Sequence, residues 1–151
     1  MLVFIFFGPV AVAGTVYVQV REVSLLAWLA CVAIGLLVVA ILVVNNLRDI
    51  ESDRRVGKRT LAVRLGAGGT QAEYILTATI AYLIPPLLWL TGAGPAWVNL
   101  AWLSFPLAFR LFRTILTERG RALNVALAET GQLTLAYVIL LSAGLVIACY
   151  L

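Results

Sequence analysis

The 151-residue sequence contains no histidine. That excludes Ser-His-Asp hydrolysis, Cys-His catalysis, HExxH zinc sites and His-ligated haem. Cysteine is almost absent too: Cys31 and Cys149 are the only two, and both lie in apolar runs. Two thiols make neither a disulfide framework nor a four-thiolate metal site. They read as small buried hydrophobes. Charged residues are only 12% of the chain, against roughly 25% in globular proteins. Hydrophobic residues reach 63%, where roughly 45–50% is usual. Mean hydropathy is +1.04. A water-soluble fold of this length could not cover so much apolar side chain, so the composition predicts an integral membrane protein. Aspartate is the scarcest acid, represented by Asp49 and Asp53 alone. No stretch is low in complexity, and no internal repeat is visible.

What is present is a set of long apolar runs. A helix needs about 20 predominantly apolar residues to cross a bilayer core. Five runs meet that need: 2–20, 24–44, 74–92, 96–112 and 130–151. A β-barrel would show short alternating segments instead. In lipid each backbone polar group must be satisfied within its own segment, so the expected fold class is all-α, a polytopic transmembrane helix bundle of five spans. Pro85-Pro86 is expected to break or kink the third span. Residues 45–73 and 113–129 are expected as loops, and residues 21–23 and 93–95 as tight turns.

The basic residues fix an orientation. Six lie in 45–73 and four in 110–129, which is ten of eleven. Both stretches fall on one side of a five-span bundle. The positive-inside rule makes that side cytoplasmic, in the inner or plasma membrane of a cell. Met1 is then cytoplasmic and Leu151 is on the opposite side. The net charge of +4 therefore has a topological cause and calls for no nucleic-acid partner. The apolar run begins at Leu2 without the basic segment that a signal peptide carries. It reads as a span, and the chain as one that begins partway through a longer protein.

Chemistry concentrates after the second span, in Asn45-Asn46-Leu47-Arg48-Asp49-Ile50-Glu51-Ser52-Asp53 and onward to Gly66. If the helix runs on past Val44, then Asn45, Asp49 and Asp53 stand at i, i+4 and i+8 on one face. Each step is about 6 Å along the axis. Two carboxylates so placed repel each other in a bare helix, and a hard divalent cation between them reverses that sign. Carboxylate and amide oxygens suit Mg²⁺, which keeps waters and binds through one or two carboxylates plus substrate phosphates. Gly57 allows the chain to turn back, and Lys58 and Arg59 follow as phosphate donors. Arg48 sits about 100° off the ligand face. The same residues also fit a solvated, salt-bridge-laced loop in which Glu51 pairs with Arg55. For the stretch Glu118–Asn124, a solvated basic loop is the simpler reading, with a cap over the site as the alternative.

The string NNLRDIESDRRVGKRTLAVRLG resembles the second aspartate-rich motif of the UbiA superfamily of intramembrane prenyltransferases. It is most similar to the MenA type, which prenylates 1,4-dihydroxy-2-naphthoate. Asn45-Asn46, Arg48-Asp49, Asp53 and the run Gly57-Lys58-Arg59-Thr60-Leu61-Ala62 carry the resemblance. It extends through Phe6-Phe7-Gly8-Pro9-Val10 and the apolar pattern to the C-terminus. The resemblance implies the C-terminal five helices of a nine-helix bundle, as part of a larger prenyltransferase domain, and a missing N-terminal half that carries another Asp-rich motif. It implies a polyprenyl diphosphate donor, a dihydroxynaphthoate acceptor that loses its carboxylate, and Mg²⁺ as cofactor. Asp49 and Asp53 would be metal ligands, and Asn45, Lys58 and Arg59 would bind the diphosphate. Another acceptor, or a non-catalytic membrane subunit, is the alternative. The latter is weakened by the lack of an ionisable residue near any span centre.

Overall fold

The computed structural model describes residues 2–151 and is built from helices, with no strand among those residues. Met1, placed on the cytoplasmic side above, lies outside the described residues. Five helices are long and apolar enough to cross a membrane. They are α1 (Leu2–Val20), α2 (Leu25–Arg48), α4 (Leu61–Leu90), α5 (Ala96–Thr117) and α6 (Gly120–Tyr150). A short helix, α3 (Ile50–Arg55), follows α2.

The centre of the bundle is α2, which packs on α1, α4 and α6. Its buried Ala30, Ala33, Leu37, Ala40, Val44 and Leu47 alternate at three- and four-residue steps. That spacing keeps one stripe facing its neighbours, and the alanines let neighbouring backbones approach. Half of the most apolar window of α2 is buried, against 11% for α1. The apolar surface of α1 thus faces outward, apart from one close crossing. A Cβ on Gly8 would stand 2.8 Å from the Cys31 carbonyl oxygen. Gly8 is therefore a packing position, and the wide-turn segment Phe6–Ala13 around it contains Pro9. An i→i+5 turn is one way to accommodate a residue that lacks an N–H.

The spans run further than hydropathy alone suggests. Residues 45–73, read from the sequence as one loop, are mostly helix: only 56–60 connect α3 to α4. Helix α4 starts where the Thr60 hydroxyl accepts from the Val63 N–H at 3.3 Å, an N-cap that polar sequence around it does not prevent. Residues 113–129 are likewise helical except near Glu118-Arg119. Of the two cysteines, Cys31 is buried as expected, but Cys149 is exposed at the last turn of α6.

Pro85-Pro86 does not break α4. The interruption lies at Gly66, whose φ of 71° and ψ of 178° are non-helical. Only glycine reaches that region without strain. The prolines leave two carbonyls without their usual i+4 donors, those of Ala81 and Tyr82. Both find substitutes from other helices. Tyr137 on α6 donates its hydroxyl to the Ala81 oxygen at 2.8 Å, and Trp102 on α5 donates its indole N–H to the Tyr82 oxygen at 3.0 Å. With the lost bonds replaced, the helix continues.

Other buried polar groups along α4 are paired as well. Tyr82 and Ser104 share a hydroxyl contact at 2.6 Å, and Tyr74 and Thr130 one at 3.1 Å. Gln71 donates its side-chain N–H to the Ile115 carbonyl at 2.6 Å, tying α4 to the end of α5. No buried side-chain polar atom among the described residues lacks a partner. Tyr82, Trp102, Phe105 and Tyr137 contact one another edge to face or stacked, with centroids 5.1–5.8 Å apart. Trp102, itself 39% exposed, therefore serves as a donor and a packing surface at the side of the bundle.

Candidate functional site

The polar rim gathers the end of α2, all of α3, and the starts of α4 and α6. The Asn45–Asp49–Asp53 column forms there despite the helix break. Asp49 has φ −95° and ψ 6°, outside ideal helix geometry. Its N–H still donates to the Asn45 oxygen at 3.2 Å, and the Asp53 N–H to the Asp49 oxygen at 2.9 Å. The i, i+4, i+8 spacing is thus kept by the backbone itself.

Arg48 is the hub of the site, although spacing placed it off the ligand face. Its Nε donates to Asp49 Oδ1 at 2.8 Å and its Nη2 to Oδ2 at 2.6 Å. Nη2 also donates to Asn45 Oδ1 at 2.9 Å. Its Nη1 reaches Asn124 Oδ1 on α6 at 3.1 Å. A long side chain on a helix folds back over the neighbouring turn, so Cα direction alone understates its reach. The available signal was composition: one guanidinium within a turn of an amide and a carboxylate matches a planar fork to its acceptors. The guanidinium beside Asp49 holds its carboxyl below the usual 3.8, opposed by partial burial and aided by the charges of Arg48 and Lys58.

Asp53 is 7% exposed and pairs with Lys58, Nζ to Oδ1 at 3.1 Å. The turn that returns Lys58 is a Schellman motif. The Lys58 N–H bonds to the Asp53 carbonyl at 2.9 Å and the Gly57 N–H to the Arg54 carbonyl at 3.2 Å. Gly57 has φ 74°, the left-handed geometry that this cap demands. Arg59 is exposed and has no carboxylate partner among the described residues. Glu51 pairs with Arg54 at 3.5 Å and not with Arg55.

A cavity of 510 Å³ opens beside this column, between α3 and the first turns of α6. Arg48, Asp49, Ser52 and Arg55 line one wall, and Arg121 and Asn124 the other. The second basic segment thus meets the first across this cavity, with Arg121 and Asn124 still exposed. Elsewhere, a mostly apolar open groove of 660 Å³ runs along α4 past Gly69, Ala72, Glu73, Ile75, Leu76 and Thr79. Among the described residues there is no cluster of three or more His, Cys, Asp or Glu fit to hold a metal. The donors present are two carboxylates and one amide oxygen. These are hard ligands, and their small number fits a cation that completes its shell with water and phosphate oxygens.

Bundle and rim together define a polytopic helical membrane protein with an oxygen-donor site at one membrane edge. The UbiA prenyltransferase family model matches residues 1–126, and the chain belongs to that family. A 1,4-dihydroxy-2-naphthoate octaprenyltransferase of Mycobacterium tuberculosis is 39% identical over 146 residues, covering 96% of this chain and 49% of that protein. The Haemophilus influenzae enzyme of the same name is 35% identical, covering 96% and 47%. Human UbiA prenyltransferase domain-containing protein 1 is 33% identical, covering 98% and 42%. The chain spans about half the length of the curated relatives it matches. No solved structure matches.

Proposed function

We propose that this chain is the C-terminal part of a prenyltransferase of menaquinone synthesis. The enzyme moves a polyprenyl group from its diphosphate to 1,4-dihydroxy-2-naphthoate. The observation that carries this reading is the rim constellation. Asn45, Asp49 and Asp53 form one column, each aspartate is held by its own cation, and the family is one of prenyltransferases. The similar naphthoate octaprenyltransferases support the choice of donor and acceptor.

The chemistry suits the place. Bound Mg²⁺ would neutralise charge developing on the departing diphosphate, with Asp49 and Asp53 as its protein ligands and Asn45 adding an oxygen. Lys58 supplies a point charge to phosphate, and Arg59 a guanidinium free of carboxylate partners. The donor's C1–O bond breaks, the diphosphate keeps the electron pair, and a ring carbon of the acceptor bonds to C1. The acceptor's carboxylate leaves as carbon dioxide, and its bonding pair stays with the ring, balancing the pair given to C1. An isoprenoid chain is as apolar as lipid, and the groove on α4 can hold one. A helix bundle keeps the allylic cation from water. A further polypeptide segment supplies the other aspartate-rich motif. The rim faces the cytoplasm, and Leu151 the opposite side.

The test is retention of geranylgeranyl diphosphate by the chain in lipid nanodiscs, with Mg²⁺ or with chelator. Retention should require Mg²⁺ and disappear in Asp49→Asn and in Asp53→Asn. Binding that ignores both the metal and the substitutions would sink the assignment.

A further inference from the structure

The cavity beside the aspartate column holds more positive charge than the column needs. Three guanidiniums line it, those of Arg48, Arg55 and Arg121, against the carboxylates of Asp49 and Glu51. Arg48 is committed to Asp49 by a two-point contact, and Glu51 faces Arg54. That leaves Arg55 and Arg121, which have no ion-pair partner among the described residues. They come from different elements, α3 and the first turn of α6, yet line the same space.

The position adjoins the metal column and shares Asp49 with it. Neither Asp53, Lys58 nor Arg59 lines the cavity. Arg48, Ser52 and Arg55 follow at i, i+4 and i+7 on an adjoining face. Its five charged lining residues sum to one positive charge, and the two guanidiniums without a carboxylate partner suit an anionic group. A diphosphate without its metal would stay under-neutralised there. Guanidinium forks are matched in shape to planar carboxylates. The volume of 510 Å³ is within the range of small-molecule sites, and a two-ring aromatic acid fits such a space.

We propose that Arg55 and Arg121 hold the carboxylate of the aromatic acceptor, in this cavity beside Asp49. This rests on the prenyl-transfer reading and adds an acceptor subsite to it. Asn124, already bound to Arg48, fixes the wall from which Arg121 reaches. The two guanidiniums make the site select an acid over the same ring without its carboxylate.

The test compares two stable probes, 1-hydroxy-2-naphthoate and 1-naphthol, by calorimetric titration of the full chain in nanodiscs. The unaltered protein should bind the acid at least about tenfold more tightly, the scale of a charge-assisted pair. Arg55→Gln and Arg121→Gln should each erase most of that preference. Arg55→Lys and Arg121→Lys should restore part of it, because the charge returns without the fork. Mg²⁺-dependent retention of geranylgeranyl diphosphate should persist in all four variants, which also shows that they fold. Equal binding of acid and naphthol by the unaltered protein would overturn the subsite. So would variants that keep the preference but lose the diphosphate, since the guanidiniums would then serve the donor. An unaltered protein that prefers the acid but never retains geranylgeranyl diphosphate supports the subsite and removes the prenyl-transfer reading instead.

Discussion

The rim and the layer beneath it use polar residues in opposite ways. In the layer, Tyr74, Tyr82, Tyr137 and Trp102 place each polar atom against a neutral partner, often a backbone carbonyl. Those contacts have nothing left over for a ligand. At the rim, Asp49 and Asp53 are held by Arg48 and Lys58. Both cations are partly exposed, and both carboxylates retain acceptor capacity. Neutral satisfied pairs hold the helices together, whereas the ionic pairs lie at the polar rim, where the proposed metal and phosphate would bind. The first kind should govern stability and the second binding.

That separation can be broken by substitution. The largest effect is expected for Asp53→Asn, which should weaken Mg²⁺-dependent prenyl diphosphate binding by about a thousandfold, roughly 4 kcal/mol. Thermal unfolding in detergent should change little. Next is Gly144→Ala. A Cβ there runs into the Trp97 carbonyl, a backbone atom that cannot step aside. It should cost about 3 kcal/mol of stability through overpacking, read as a lowered unfolding midpoint. Tyr137→Phe removes the donor that replaces the proline-deleted bond at Ala81. Leaving that carbonyl unpaired should cost about 1–3 kcal/mol and leave ligand binding near normal.

A smaller effect concerns acid. The Asp49 carboxyl is held below 3.8, first by its hydrogen bond to Arg48. A depressed carboxyl stabilises the fold above its unfolded value and loses that contribution as pH falls through the folded value. The Arg48–Asp49 pair should therefore be unchanged from pH 7 to 5 and loosen only below 3.8. The carboxyl carbon shift of labelled Asp49 follows this directly. Smallest of all, Arg54→Ala removes an exposed pair with Glu51 at 3.5 Å. Such pairs are worth about 0–1 kcal/mol, and neither stability nor Mg²⁺-dependent diphosphate binding should move measurably.

Much of this was legible in the sequence, and the failures have physical causes. The spans follow from hydropathy, because lipid allows few other solutions. The Asn45–Asp49–Asp53 column follows from helical spacing, and the backbone keeps it. The length of α4 was misread because polar residues 61–73 look like loop to a hydropathy window. Helices continue past the apolar zone wherever a cap such as Thr60 permits. The proline pair misled because local sequence cannot show donors arriving from α5 and α6. The central place of Arg48 was missed because direction from Cα ignores side-chain length. Its bond to Asn124 joins residues 76 positions apart, beyond the reach of local spacing.

The most direct measurement uses Mn²⁺ as a spin probe, since the oxygen donors that take Mg²⁺ also take Mn²⁺. The electron paramagnetic resonance signal of free Mn²⁺ is recorded as the chain in nanodiscs is titrated with geranylgeranyl diphosphate. The rim should capture Mn²⁺ when both protein and diphosphate are present, and Asp49→Asn should release it. Capture that is unchanged in Asp49→Asn and in Asp53→Asn would contradict the metal–diphosphate role of the column.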